Sequence, residues 1–181
     1  MRPDENRVAD EHGEIGPFNE LSTEECVERL LSCCSSPTWA RRVADRRPFA
    51  DAHALLDRAD QILAELTEAD VDEALAGHPR IGDRPDNASS AREQSGVSGA
   101  DAAVIDELKK YNAAYEDRFG HVYLVFANGR PAEQLLGILE DRIANDPATE
   151  RRLLRGELAK INRSRLIRML ATHDTDEGAS A

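Results

Sequence analysis

The side chains best suited to chemistry fall in one stretch: His78-Pro79-Arg80-Ile81-Gly82, followed by Ser90-x-x-Glu93-Gln94. An imidazole titrates near neutral pH and can take or return a proton, and a carboxylate beside it can fix its tautomer and hold the imidazolium form. Ser90 and Gln94 add donors and acceptors that match a substrate with amide-like edges. Each of these residues also has an ordinary structural use. His78 follows Gly77 and can serve the last carbonyls of a helix. Ser90-x-x-Glu93 has the form of a capping box, and a capped helix start can itself present N–H groups to a carboxylate. Arg80 and Arg84 suit a solvated surface, Tyr115, Phe119 and Tyr123 a core, and Arg163, Arg165 and Arg168 a solvated helix face.

Other chemistries lack their signatures. The sequence has no Walker loop, no GxGxxG after a strand, no zinc-type Cys/His spacing and no GxSxG. Neither a metal nor an organic cofactor is expected. Cys26, Cys33 and Cys34 are an odd number in one segment, which suits reduced thiols on a buried helix face. With 23 Lys+Arg against 35 Asp+Glu, the formal charge of −12 argues against nucleic acid or an anionic membrane as partner. A small anionic substrate must therefore be met by locally placed Arg or His. No apolar run approaches the roughly 20 residues of a membrane-spanning helix. The N-terminal MRPDENRVADEHGEIGPF has no apolar core like that of a secretory signal, and the C-terminal Ala-Ser-Ala is not a peroxisomal address. The cytoplasm is the expected compartment.

These residues must be positioned by helices. A chain of 181 residues with 40% hydrophobic residues fits one globular domain and excludes collagenous or wholly disordered classes. Residues 1–16 are polar and 172–181 are small and acidic, so both are expected to be mobile tails around a domain at 17–171. Helices are predicted from Thr23 to Cys34 behind a Ser22/Glu25 capping box, from Ser36-Pro37, over 51–65, and from Thr67 to near Gly77. Residues 78–98 read as a long loop with at most a short helix. Further helices are predicted from about Ala100 to Phe119, from Pro131 to Ile143, and from Asp146-Pro147 onward. Val122 to Phe126 is either extended or a buried helical continuation, which periodicity does not decide. The expected class is all-α, with about seven or eight helices and little or no sheet.

From Phe18 to about Leu170 the sequence resembles the 2-oxo-4-hydroxy-4-carboxy-5-ureidoimidazoline (OHCU) decarboxylases of urate breakdown. The resemblance rests on separated motifs in family order: FNELS at 18–22, HPRIG at 78–82, SxxEQ at 90–94, NxxYxxRFG at 112–120, the apolar stretch and turn ending in Gly129-Arg130, RIAND at 142–146, and ELAKINRSRL at 157–166. It implies an all-helical homodimer without metal or organic cofactor. It implies that His78 is the catalytic histidine, with Pro79 shaping its loop, and that Glu93 works with it. It further implies that Ser90 and Gln94 line the substrate site, that the run Tyr123, Leu124, Val125, Phe126 and Ala127 borders the ligand, and that Arg165 meets the substrate's charge. Arg163 is the alternative that a slipped alignment would choose. Tyr123 stands where the family often has Phe, and Phe126 where it often has Cys. The implied activity is decarboxylation to (S)-allantoin. Two other readings stay open on sequence: a related lyase or hydrolase acting on another ureide, and an inactive helical interaction module.

Overall fold

Short polar side chains ahead of the apolar runs set the helix starts. The structure is a computed structural model, described for residues 14–85 and 87–176, with side chains described as far as 172. A brief α1 (Gly16–Glu20) leads to Ser22, whose hydroxyl accepts from Glu25 N at 3.2 Å while the Glu25 carboxylate accepts from Ser22 N at 3.1 Å, opening α2 (Thr23–Cys33). Ser36 accepts from Trp39 N to start α3 (Pro37–Ala44), and Asp51 accepts from Ala54 N to start α4 (Ala52–Ala64). Thr67 and Asp70 form a second capping box ahead of α5 (Glu68–Ala76). After α6 (Ala88–Glu93), α7 (Ala102–Phe119) begins at Asp101 and ends at Gly120. Pro131 precedes α8 (Ala132–Ile143), and Asp146 accepts from Thr149 N at the start of α9 (Pro147–Asp176).

Three details differ from the sequence expectation. The described residues hold nine helices and no strand, rather than seven or eight helices, because Gly16–Glu20 forms α1 and the short helix allowed within 78–98 forms as α6. The start of α6 is capped by Asn87, whose side-chain oxygen accepts from Ser90 N at 2.8 Å, so Ser90-x-x-Glu93 is not a capping box. The last helix continues to Asp176, past the predicted tail boundary at 172. The remainder of the predicted tails, 1–13 and 177–181, lies outside the described residues.

The helices bury two hydrophobic clusters. One is built by α2–α5 and α9 around Phe18, Leu30, Trp39, Leu55 and Leu158; the other by α7 and α8 around Leu108, Tyr115, Leu135 and Leu139. Trp39 is fully buried, and its indole N–H donates to Ala59 O at 3.0 Å, tying α3 to α4. The three cysteines are free and buried, and burial pushes the Cys33 thiol up to about 11, so it stays protonated at neutral pH.

Residues 122–127 are neither helix nor strand and run along the seam between the clusters. Val122, Leu124 and Phe126 pack against the first cluster, and Tyr123, Val125 and Ala127 belong to the second, the period-two alternation of extended backbone. Without a neighbouring strand, the backbone is held by side chains. Arg142 Nη1 donates to Leu124 O at 2.7 Å, and Glu157 accepts from Phe126 N at 2.7 Å. Arg142 is itself fixed by Glu150, which is fully buried and also takes hydrogen bonds from Tyr115 and Asn145. Breaking such a pair from one side leaves an uncompensated buried charge. Glu150→Gln should therefore lower the unfolding free energy by about 3–5 kcal/mol in urea denaturation. A loss below about 1 kcal/mol, the scale of one ordinary hydrogen bond, would show that this pair does not anchor the segment.

Candidate active site

The histidine loop starts where α5 meets the first core. A Cβ on Gly77 would stand 2.8 Å from Ser35 Cβ, so only glycine lets the chain turn this close to the α2–α3 connection. His78 N then donates to Leu75 O at 3.0 Å, and the His78 side chain is largely buried. Three side chains hold the following residues. Asn112 donates to Ile81 O at 2.9 Å, the Arg80 guanidinium forms a two-pronged pair with Glu116, and the Gln94 amide spans the loop. Gln94 donates to Arg80 O at 3.2 Å and accepts from Gly82 N at 3.1 Å. Gln94 thus spends part of its hydrogen-bonding capacity on the loop that carries His78.

The opposite wall comes from α6. Its C-terminal side is pressed against the turn after residue 127: Gly129 N donates to Glu93 O at 3.2 Å, and a Cβ on Gly96 would lie 2.2 Å from Gly129 O and 2.3 Å from Arg130 O. Those atoms are backbone and cannot swing aside.

Between these parts lies a cavity. His78, Pro79, Ser90, Glu93 and Gln94 line it together with Leu124, Val125 and Ala127 of the seam, and Ile81 and Ile161 complete its surface. It holds about 20 Å³, room for roughly one water. Ser90 Oγ is buried at this wall with no hydrogen-bond partner among the described residues. Eight of the eleven residues named from the sequence, catalytic and substrate-binding together, are thus on one cavity. Tyr123, Phe126 and Arg165 are not among its lining residues. Tyr123 points into the second core and donates to Leu135 O, while Phe126 borders a surface depression with Ile167 and Arg168.

Arg165 reaches the cavity wall through Glu93. Its Nε and Nη2 donate to the two Glu93 oxygens at 2.7 and 2.8 Å, and its Nη1 donates to Cys33 O at 3.3 Å. Arg168 adds a third bond to Glu93, Nη2 to Oε1 at 2.9 Å. Burial by itself would raise the Glu93 carboxyl, but the hydrogen bonds and charges of Arg165 and Arg168 outweigh it and hold the group below the usual glutamate range. Arg163 instead pairs with Asp57 and Asp60 on α4. Among the described residues no group of three His, Cys, Asp or Glu side chains is placed to hold a metal.

Sequence reasoning missed the residues that fix the walls: Asn112, Tyr115, Arg142, Glu150 and Glu157. Most lie in motifs that carried the resemblance, but a motif match does not say that Glu157 binds a backbone N–H or that Arg142 binds a carbonyl. Glu150 lies in none of them.

A sequence profile of the OHCU decarboxylase family matches residues 19–167. The chain belongs to the OHCU decarboxylase family. Its similarity to the 2-oxo-4-hydroxy-4-carboxy-5-ureidoimidazoline decarboxylase of Amia calva is 30% identity over 168 residues, covering 86% of this chain and 95% of that protein. It is 28% identical over 147 residues to the uric acid degradation bifunctional protein TTL of Arabidopsis thaliana; the match takes in 77% of this chain but spans only 45% of that protein's length. In structure it resembles an OHCU decarboxylase crystallised in the presence of (S)-allantoin, with a TM-score of 0.72 at 24% identity, covering 83% of this chain and 99% of the other. That likeness shows the same fold.

Two outcomes test this OHCU decarboxylase-family site as built. Gly96→Ala should lower stability by about 1–3 kcal/mol in thermal unfolding, because the added methyl group meets backbone on the 129–130 turn; an unchanged melting temperature would contradict that contact. For Glu93 the folded pKa is depressed below the unfolded value of about 4.3, so its ionised form contributes stability that is complete above that value and is lost as pH falls through the folded one. The stability gap between wild type and Glu93→Gln should be constant above about pH 5.5 and narrow as the pH falls below about 4 in urea unfolding. A gap that widened on acidification would reverse the assignment.

Proposed function

We propose that the chain decarboxylates 2-oxo-4-hydroxy-4-carboxy-5-ureidoimidazoline to (S)-allantoin in urate degradation, with His78 as the proton-transfer group and Glu93 as its acidic neighbour. The observation that carries this reading is the convergence of His78, Pro79, Ser90, Glu93 and Gln94 with Leu124, Val125 and Ala127 on one buried cavity in a member of the OHCU decarboxylase family.

The chemistry suits this residue set. In the substrate the carbon that loses carbon dioxide also carries a hydroxyl group and adjoins a C=N carbon bearing the ureido group. The electrons of the breaking C–C bond move into a new C=C bond, and the C=N pair moves onto nitrogen, so the substrate supplies its own electron sink. His78 accepts the hydroxyl proton as carbon dioxide leaves, the ring nitrogen takes a proton from solvent, and the proton held on His78 is returned to one face of the ureido-bearing carbon, which gives one enantiomer. The unpartnered Ser90 hydroxyl is ready to donate to or accept from the substrate's amide-like edges. Arg165 has spent three of a guanidinium's five N–H groups on Glu93 and Cys33 O, and the others can meet the substrate's carboxylate. Tyr123 and Phe126 keep their side chains out of the cavity. Burial pushes the Tyr123 hydroxyl well above its ordinary value, which keeps it protonated inside the second core.

The family resemblance also implies a homodimer, to be read by sedimentation equilibrium, and the sequence a cytoplasmic setting. No helix among the described residues is long and apolar enough to cross a membrane.

The test generates the unstable substrate from urate in situ and follows carbon dioxide release and the optical rotation of the product. Wild type should accelerate release and give (S)-allantoin. His78→Asn should lower the rate by about 10²–10⁴-fold, the usual weight of a general acid–base group, while keeping the helical circular dichroism signal. Near wild-type turnover in that variant would remove His78 from the mechanism. Racemic product at the uncatalysed rate from the wild-type chain would favour an interaction module instead.

A further inference from the structure

On the other side of the Glu93–Arg165 pair from the His78 cavity lies a second depression, of about 220 Å³, whose wall carries three guanidinium groups: Arg92, Arg165 and Arg168. The other arginines that form ion pairs have at least one carboxylate each. Arg42 has Glu65, Arg80 has Glu116, Arg142 has Glu150, Arg151 and Arg155 share Glu68 with Asp72 beside it, and Arg163 has both Asp57 and Asp60. At the depression the ratio is inverted. Arg165 and Arg168 share the one carboxylate of Glu93, and Arg92 forms no ion pair among the described residues. Ser89 adds a hydroxyl group, and the Cys33 thiol beside it is neutral at physiological pH. Three like charges gathered in a concavity around one counter-ion are costly unless a further anion completes the balance.

We propose that this depression is a binding site for a small oxyanion or carboxylate, held by Arg92 and Arg168 with Arg165 behind them. Guanidinium groups suit such a ligand because each offers two parallel N–H donors to two oxygens. The site is coupled to the His78 cavity, since Arg165 and Arg168 both donate to Glu93 Oε1 and an anion bound to them competes with Glu93 for the same donors. The ligand has two possible sources with the same chemistry: the carboxylate of the arriving substrate, or a free oxyanion such as phosphate or hydrogencarbonate.

The binding arm uses inorganic phosphate and hydrogencarbonate with the full chain, titrated by isothermal calorimetry at low ionic strength with chloride as control. It needs no substrate, so it stands whether or not the chain is a decarboxylase. Saturable binding is expected, weakened about fivefold by Arg92→Ala and more than about tenfold by Arg92→Ala with Arg168→Ala, and tightened by Glu93→Gln, which removes the competing carboxylate. Arg92 makes no ion pair among the described residues, so its variant keeps the test valid if loss of Arg168 disturbs folding. Absence of saturation, or equal affinity in wild type and Arg92→Ala, overturns the proposal. A second arm separates the sources: phosphate that inhibits decarboxylation competitively marks a site for the substrate's own carboxylate, and inhibition that added substrate does not relieve marks a site for a free oxyanion.

Discussion

A stretch of extended backbone with no sheet to join is the constraint on which the rest of this molecule depends. Residues 122–127 lie between two hydrophobic clusters, and peptide groups buried there need partners as much as any others do. A strand would draw them from a neighbour along its whole edge. Here they come one at a time from helix side chains, Arg142 for Leu124 O and Glu157 for Phe126 N. Charged partners make these bonds stronger than neutral ones, but only if each charge is itself balanced. That requirement explains the fully buried Glu150, with Tyr115, Arg142 and Asn145 all directed at it. The reward is an apolar segment that presents Leu124, Val125 and Ala127 to a cavity at the seam.

The same economy of charge governs the cavity. The chain as a whole is strongly acidic, which gives a distant anion no reason to approach. Glu93 at the wall would add to that repulsion if it stood alone, and burial would favour its neutral form. Arg165 and Arg168 reverse both effects, since two guanidinium groups on one carboxylate keep it ionised and leave the local balance positive. The electrostatics of the site therefore belong to one face of α9, with Arg163, on a different face, turned to Asp57 and Asp60 instead.

Much of this was legible in the sequence because it depends on local rules. Caps at Ser22, Ser36, Asp51, Thr67 and Asp146 are short-range hydrogen bonds, and they start the helices where residue type predicts. Local rules also misled at Ser90, which has the right spacing to Glu93 for a capping box, but Asn87 three residues earlier takes the cap and leaves the Ser90 hydroxyl facing the cavity. The extended run 122–127 was undecidable for a different reason. Apolar residues facing two cores alternately show no polar face, so periodicity is lost although the backbone alternates. Tyr123 and Phe126 belong to the segment at the site, but their side chains turn to the second core and to a surface depression, which membership of the segment does not reveal. The pairing of Glu93 with Arg165 spans 72 positions and is invisible to any local pattern.

The strength of the contacts also determines which wall can yield. At about 20 Å³ the cavity is far below the roughly 300 Å³ at which small-molecule pockets begin, so a bound ureidoimidazoline requires one side to move. The seam is fastened by a buried ion pair whose disruption costs about 3–5 kcal/mol. The histidine loop and α6 are joined to each other by the two Gln94 amide bonds, and such neutral bonds are worth about 0.5–1.5 kcal/mol each because water can replace them. α6 is itself tied to α9 by the three charge-assisted bonds that Arg165 and Arg168 make to Glu93, and to the 129–130 turn at Gly96, so the weakest joint around the cavity is the one between α6 and the histidine loop.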